Sequence, residues 1–189
     1  GLIAAHAIHL DPNEIELLAQ HGCHVAHCPS SNLKLASGHA PVAALLKAGV
    51  NVALGTDGAA SNNRLDLFSE MRLAALLAKG VTGDATALPA WQALEMATIR
   101  AARALGLDNT IGSLAPGKRA DITAVRLDDI EASPCYDPIS HLVYAAGREN
   151  VSHVWVDGKL VLDERSLTTM DTREIVARAA YWRDQIGLP

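Results

Sequence analysis

The chain has 189 residues, with 16 Lys and Arg against 21 Asp and Glu and a net charge of −5 with His neutral. This mildly acidic balance, with no run of five like charges, argues against nucleic acid or an anionic membrane as partner, because both are bound through basic patches. Apolar residues make up 49% of the chain and aromatic ones only 4%, which predicts a globule with an aliphatic core, and no apolar run nears the ~20 residues of a membrane helix.

Leu2 to Ala7 is a short apolar run that reads as a strand, and Asp11-Pro-Asn-Glu14 opens a helical pattern through Ile15, Leu17 and Leu18 that stops at Gly22. A second run, His24 to Cys28, is followed by a polar loop from Pro29 to Asn32 and beyond, then by a helix from Val42 to Lys47 closed by Gly49. Val50 to Gly55 is a third strand, after which Thr56-Asp57-Gly58 leads to a helix with Leu65, Phe68, Met71, Leu73 and Leu76 on one face, up to Gly80. Strands alternating with helices predict a parallel sheet. Each unit takes about 27 residues, so eight would need roughly 215, within the span of a (β/α)8 barrel, although a doubly wound sheet has the same local pattern. The chain opens on Gly1 directly into a strand and reads as the tail of something longer.

Asp84 to Gly106 is expected as one long helix, with Pro89 near its first turn and Gly106 just past its end. Gly112 to Lys118 has the spacing of a phosphate loop, but Arg119 stands where the hydroxyl residue belongs and a strand, Ile122 to Leu127, follows; both argue against a nucleotide loop. Val154 to Leu162 is a hairpin about Asp157-Gly158, and Thr172 to Ile186 closes the chain as an amphipathic helix.

The eight histidines require each candidate metal site to be weighed. In the cluster Cys23-His24-Val-Ala-His27-Cys28, a strand would point His24 and His27 to opposite faces and set His24 and Cys28 about 13 Å apart. Zinc ligands must lie within about 4 Å of one another, so the cluster is read as structural, with His27 near enough to the strand end to face a shared pocket. Asp57 directly follows an apolar strand, where barrel enzymes place catalytic groups; position alone equally allows a turn or helix-cap role. His6 holds the same place on the first strand, where a lone His is more often structural; convergence of the two on one rim favours function for both. The three cysteines, Cys23, Cys28 and Cys135, cannot all pair, which predicts a reducing, cytoplasmic compartment.

His6-Ala-Ile-His9-Leu, His27-Cys-Pro-Ser-Ser-Asn32-Leu-Lys34-Leu and Gly55-Thr-Asp57-Gly-Ala-Ala-Ser-Asn62-Asn63 resemble the sixth, seventh and eighth strand ends of the amidohydrolase superfamily. Met96-Ala-Thr98, Ala102-Arg103-Ala-Leu-Gly-Leu and Gly112-Ser-Leu-x-x-Gly117-Lys118-x-Ala-Asp121 agree with it, although Arg100 stands where a Gly is expected. The likeness is to the TRZ/ATZ branch, which includes triazine hydrolases and 5-methylthioadenosine/S-adenosylhomocysteine deaminases.

The resemblance implies an α/β fold: the C-terminal three βα units of a (β/α)8 TIM barrel, part of a small β-sandwich, and a C-terminal helix. Residues 1–110 would be the barrel part with its following helices, and residues 111–189 the sandwich part. It further implies a divalent metal, usually zinc, with Asp57 as a ligand and proton carrier and His6 stabilising charge on the attacking oxygen. The family's His-x-His pair and its fifth-strand His and Glu have no match here. The isolated chain is therefore expected to bind metal weakly and not to turn over. The expected substrate is a small purine nucleoside, S-adenosylhomocysteine or methylthioadenosine, with triazine hydrolysis or guanine deamination as alternatives within the family. The expected partners are a missing N-terminal barrel half, in the same or another chain, and a second copy in a homodimer. An inactive fragment and one half of a split enzyme are the remaining alternatives.

Overall fold

The computed structural model describes residues 1–187. It is an α/β chain with one parallel and one antiparallel sheet. Two compact units interleave along the sequence: Gly1–Lys118 with Leu127–Asn150, and Arg119–Arg126 with the chain from Val151 onward. The first unit includes the helix Pro138–Tyr144, which buries Val143 completely in its core.

In the first unit, β1 (Ile3–Ala5), β2 (His24–His27) and β3 (Asn51–Leu54) pair in parallel in that order, with Ile3 opposite His24 and His24 opposite Asn51. Parallel neighbours need a crossover, and the sequence supplies α1 (Pro12–Gln20) after β1 and α3 (Val42–Lys47) after β2. Asp11 starts α1 in a capping box with Glu14: its carboxylate accepts the Asn13 and Glu14 N–H groups, and the Glu14 carboxylate accepts the Asp11 N–H. The core is aliphatic, as composition required. Val25, Leu45, Val52, Ala75 and Ala93 are fully buried, and Phe68 and Tyr144 contribute only partly buried rings.

Four elements differ from the periodicity reading. Pro29 to Lys34, expected as loop, is a helix, α2 (Pro29–Lys34); proline at the first helical position suits it, and it buries the polar Ser31 and Asn32, which hydrophobic periodicity does not register. The helix after β3, α4 (Leu67–Thr82), runs past Gly80 to a left-handed Gly83. The expected long helix is two, α5 (Ala90–Ala97) and α6 (Ile99–Ala104), broken at Thr98 (φ −127°, ψ −99°). Gly112 lies against the second of these, where a Cβ would stand 2.6 Å from Ala102 Cβ, so only glycine allows that approach. Arg100 fits this region because its carbonyl accepts from Asn51 Nδ2 at 2.9 Å and its guanidinium pairs with Glu95 at 3.0 Å. The fourth difference is Pro138–Tyr144, a helix the sequence reading left out, here α7.

The second unit is an antiparallel sheet of β4 (Ile122–Val125), β5 (Val151–Val156), β6 (Lys159–Asp163) and β7 (Ser166–Leu167), in that order, with the hairpin turning at Asp157 and Gly158. It ends in α8 (Thr172–Ile186), capped by Asp171. Among the described residues, no helix is long and apolar enough to cross a membrane.

Candidate active site

The parallel register brings three strand ends to one rim. The His6 N–H donates to Ala26 O and the Gly55 N–H to His27 O, both at 2.9 Å, so His6 and the Gly55–Asp57 segment flank the end of β2. His6 and Asp57 both sit in left-handed backbone, at φ 66° and 61°. Residues other than glycine adopt it at a cost of about 1–3 kcal/mol, and such residues concentrate at functional sites. Across this rim His6 Nε2 stands 3.9 Å from Asp57 Oδ2, the two side chains being 38% and 35% exposed and so reachable by a small molecule.

The helix α2 furnishes the partners. Ser31 Oγ donates to Asp57 Oδ2 at 2.7 Å, as does Ser61 Oγ, while the Gly58 N–H donates to Oδ1 at 2.8 Å. The Ser31 and Ser61 hydroxyls, then the Gly58 N–H and the nearby His6, hold the Asp57 carboxyl down at about 2. It is a carboxylate throughout the physiological range. The neighbouring α2 residue, Asn32, meets the other side chain, with His6 Nδ1 2.8 Å from Asn32 Oδ1. Lys34 Nζ donates to Ala60 O at 2.6 Å and to Asn63 Oδ1 at 2.7 Å, tying the loop after Asp57 to α2. The Glu70 carboxylate of α4 is buried and accepts from Ser30 N–H at 3.1 Å and from Asn62 Nδ2 at 2.7 Å, joining the start of α2 to the loop after Asp57.

Of the residues singled out in the sequence, His6 and Asp57 meet; His27 does not join them. It is buried, 1% exposed, and lines an apolar cavity of about 160 Å³ walled by Ala40, Val42, Ala44, Ala74 and Ala78. Burial, and next to it the proximity of His6, pushes its pKa down to about 4. Because this lies below the unfolded value of about 6.5, the unfolded chain binds more protons between the two. Stability is thus fully present above pH ~6.5 and is lost as pH falls toward 4. Thermal melts are expected to show this fall in Tm, and His27→Leu to flatten it; a wild-type Tm unchanged between pH 6.5 and 4.5 overturns the assignment.

Cys28 is buried, and burial, followed by the Asp57 and Glu70 charges, raises its thiol to about 11, whereas Cys135 is exposed. Iodoacetamide at neutral pH is expected to alkylate Cys135 and leave Cys28 free, because the thiolate is the nucleophile; peptide mapping that finds Cys28 labelled as fast as Cys135 contradicts this.

For a metal ion, Asp57 is a fitting donor: an ionised, accessible carboxylate with an imidazole beside it. Among the described residues, no group of three or more His, Cys, Asp or Glu side chains is placed to hold one. The fit is therefore that of one part of a donor set. Ser31, Asn32 and Glu70 escaped sequence reasoning as partners of the site. Ser31 and Asn32 lie within the His27 to Leu35 motif, where the Pro-led hexapeptide Pro29 to Lys34 is the available signal for a helix.

A model of the amidohydrolase family matches residues 1–161. The chain is 52% identical over 185 residues to the 5-methylthioadenosine/S-adenosylhomocysteine deaminase of Teredinibacter turnerae, covering 96% of this chain and 42% of that one. It is 53% identical over 177 residues to the protein of the same name from Moorella thermoacetica, covering 94% and 41%. Among solved structures, an adenosine deaminase from Xanthomonas campestris with bound zinc superposes with a TM-score of 0.96 at 54% identity, over 98% of this chain and 42% of the other. An atrazine chlorohydrolase from Arthrobacter aurescens complexed with zinc gives 0.89 at 32%, over 95% and 40%. The chain thus spans about 42% of the length of the first curated relative.

Proposed function

The chain belongs to the amidohydrolase family, and on that premise we propose that it is the C-terminal part of a metal-dependent deaminase acting on the adenine ring of S-adenosylhomocysteine or 5-methylthioadenosine. β1, β2 and β3 with their helices are in this reading three βα units of a (β/α)8 barrel. In the same reading β4 to β7 belong to a small β-sandwich. The observation that carries the reading is the meeting of an ionised Asp57 with His6 on a rim of parallel strand ends, in a chain about half identical to proteins named for that activity.

Asp57 is the residue of this chain that would hold a divalent ion, zinc by analogy with the zinc-bound neighbours. Such an ion supplies, when bound, a water acidic enough to ionise near neutral pH. The remaining donors come from barrel strands outside these 189 residues, in the same chain or another. Asp57, already a carboxylate, takes one proton of the attacking water and hands it to the leaving nitrogen, so that ammonia departs; the second proton ends on a ring nitrogen of the product. His6 faces the same water from the other side and orients it for attack. Three free cysteines fit a cytoplasmic protein, and a homodimer is part of the proposal by family likeness.

The deciding experiment measures the intact mass, metal content and turnover of the native protein from its source cells, with S-adenosylhomocysteine, methylthioadenosine, guanine and atrazine as substrates. Ammonia release from an adenine-bearing substrate is expected. Turnover of atrazine or guanine alone would redirect the assignment within the family, and a metal-free, inactive native protein would reduce it to ancestry. The isolated 189-residue chain is expected to bind zinc weakly and to be inactive; tight stoichiometric zinc binding by it contradicts that.

A further inference from the structure

We propose that Asn32 is a positioning residue that selects the tautomer of His6, leaving Nε2 as a lone-pair acceptor facing Asp57. The proposal rests on the deaminase reading for its kinetic consequence and on geometry alone for the tautomer. Asn32 Oδ1 lies 2.8 Å from His6 Nδ1. An amide oxygen only accepts, so Nδ1 carries the hydrogen, and a neutral imidazole with Nδ1–H has a bare Nε2. Nε2 then confronts Asp57 Oδ2 across 3.9 Å. Two lone-pair atoms at that separation form no hydrogen bond with each other. A water about 2.8 Å from each can donate one O–H to Nε2 and the other to the carboxylate. Ser31 and Ser61 already donate to that carboxylate from its other side. The pair is therefore arranged to orient a water by both of its hydrogens.

Burial makes this selection firm. Asn32 is 2% exposed, and α2 fixes it through its own N–H to Cys28 O at 3.0 Å and its carbonyl to Ser37 N at 2.9 Å. Its Nδ2 is buried without a hydrogen-bond partner, an uncompensated burden that leucine of similar size would not carry. The amide oxygen is the part of the side chain with a partner, and that partner is His6. A polar residue that lowers stability while aligning a ring at the rim acts through that ring, not through packing.

The test uses the native protein with nitrogen-15 in its histidine rings, His6 being assigned by its loss in His6→Gln. At pH 7.5, wild type is expected to show Nδ1 protonated and Nε2 bare. Asn32→Leu is expected to lose this preference and to lower kcat by on the order of 100-fold, with KM within about threefold, a split that general loosening of the fold does not produce. Asn32→Asp, which keeps the acceptor, is expected to retain Nδ1–H and to recover at least about tenfold of the lost kcat. A wild-type ring protonated on Nε2 alone overturns the proposal, and so does an Asn32→Leu protein with unchanged tautomer and kcat. If Asn32→Leu fails to fold, the wild-type and Asn32→Asp spectra decide. A native protein that deaminates none of the substrates ends the deaminase reading, while the nitrogen shifts still decide the role of Asn32.

Discussion

On the proposed reading, in which Asp57 is both a metal ligand and a proton carrier, Asp57→Ala in the native protein is expected to lower kcat/KM for deamination by more than about 10³-fold. Asp57 lies outside the hydrophobic core, and the contacts that Asp57→Ala removes are the hydrogen bonds from Ser31, Ser61 and the Gly58 N–H. Asp57→Asn separates the parts. An amide oxygen still accepts the serine hydroxyls, so the fold persists, but the side chain no longer takes a proton, and turnover falls to a similar level. The pH dependence follows from the same carboxyl. Its folded value of about 2 lies below its unfolded one, so its contribution to stability is present above pH ~4 and lost only as pH falls toward 2. Turnover by Asp57→Ala within tenfold of wild type, measured as ammonia release, removes Asp57 from the mechanism.

Glu70→Ala is expected to destabilise the protein by about 2–5 kcal/mol, the range for leaving two hydrogen-bond donors without their acceptor and a cavity beside them. Glu70 is 1% exposed and joins three segments: α4, which carries it, Ser30 at the start of α2, and Asn62 in the loop after Asp57. Without the carboxylate, the half-buried Ser30 N–H and the buried Asn62 Nδ2 lose their acceptor, at up to about 1–3 kcal/mol each, and a cavity remains. Asn62 transmits the effect, because its Oδ1 accepts the Arg64 and Leu65 N–H groups that shape the approach to α4. Glu70→Gln keeps one acceptor and is expected to lose less than half as much. Urea unfolding of the native protein and both variants measures the difference; a loss below about 1 kcal/mol for Glu70→Ala would falsify the bridging role.

The strands and the candidate residues at their ends were legible in the sequence for one reason. Buried parallel strands are short apolar runs, and the residue after each must lie on the C-terminal rim, which names His6 and Asp57 without any knowledge of their distance. The same reasoning failed for α2. Its Ser31 and Asn32 are buried not by an apolar face but by hydrogen bonds to residues 26 positions away on either side, Asp57 and His6. It failed again at Thr98, where the hydroxyl turns back to Leu94 O at 2.7 Å and the backbone leaves the helix while the alanine-rich pattern continues. Arg100 looked anomalous in the sequence because its two partners, Glu95 and Asn51, become visible only once α6 is laid against β3.

The amino-acid sequence by itself determined the alternation of strands and helices, the aliphatic core, the rim positions and the family, because periodicity, composition and motif spacing are local properties of the chain. Only the tertiary structure decided which polar side chains act on which: that Asn32 meets His6, that two serines hold Asp57 ionised, and that Glu70 joins the start of α2 to the loop after Asp57. Those pairings are set by strand register and by the depth at which each side chain is cut off from water, and neither quantity is written at any one position.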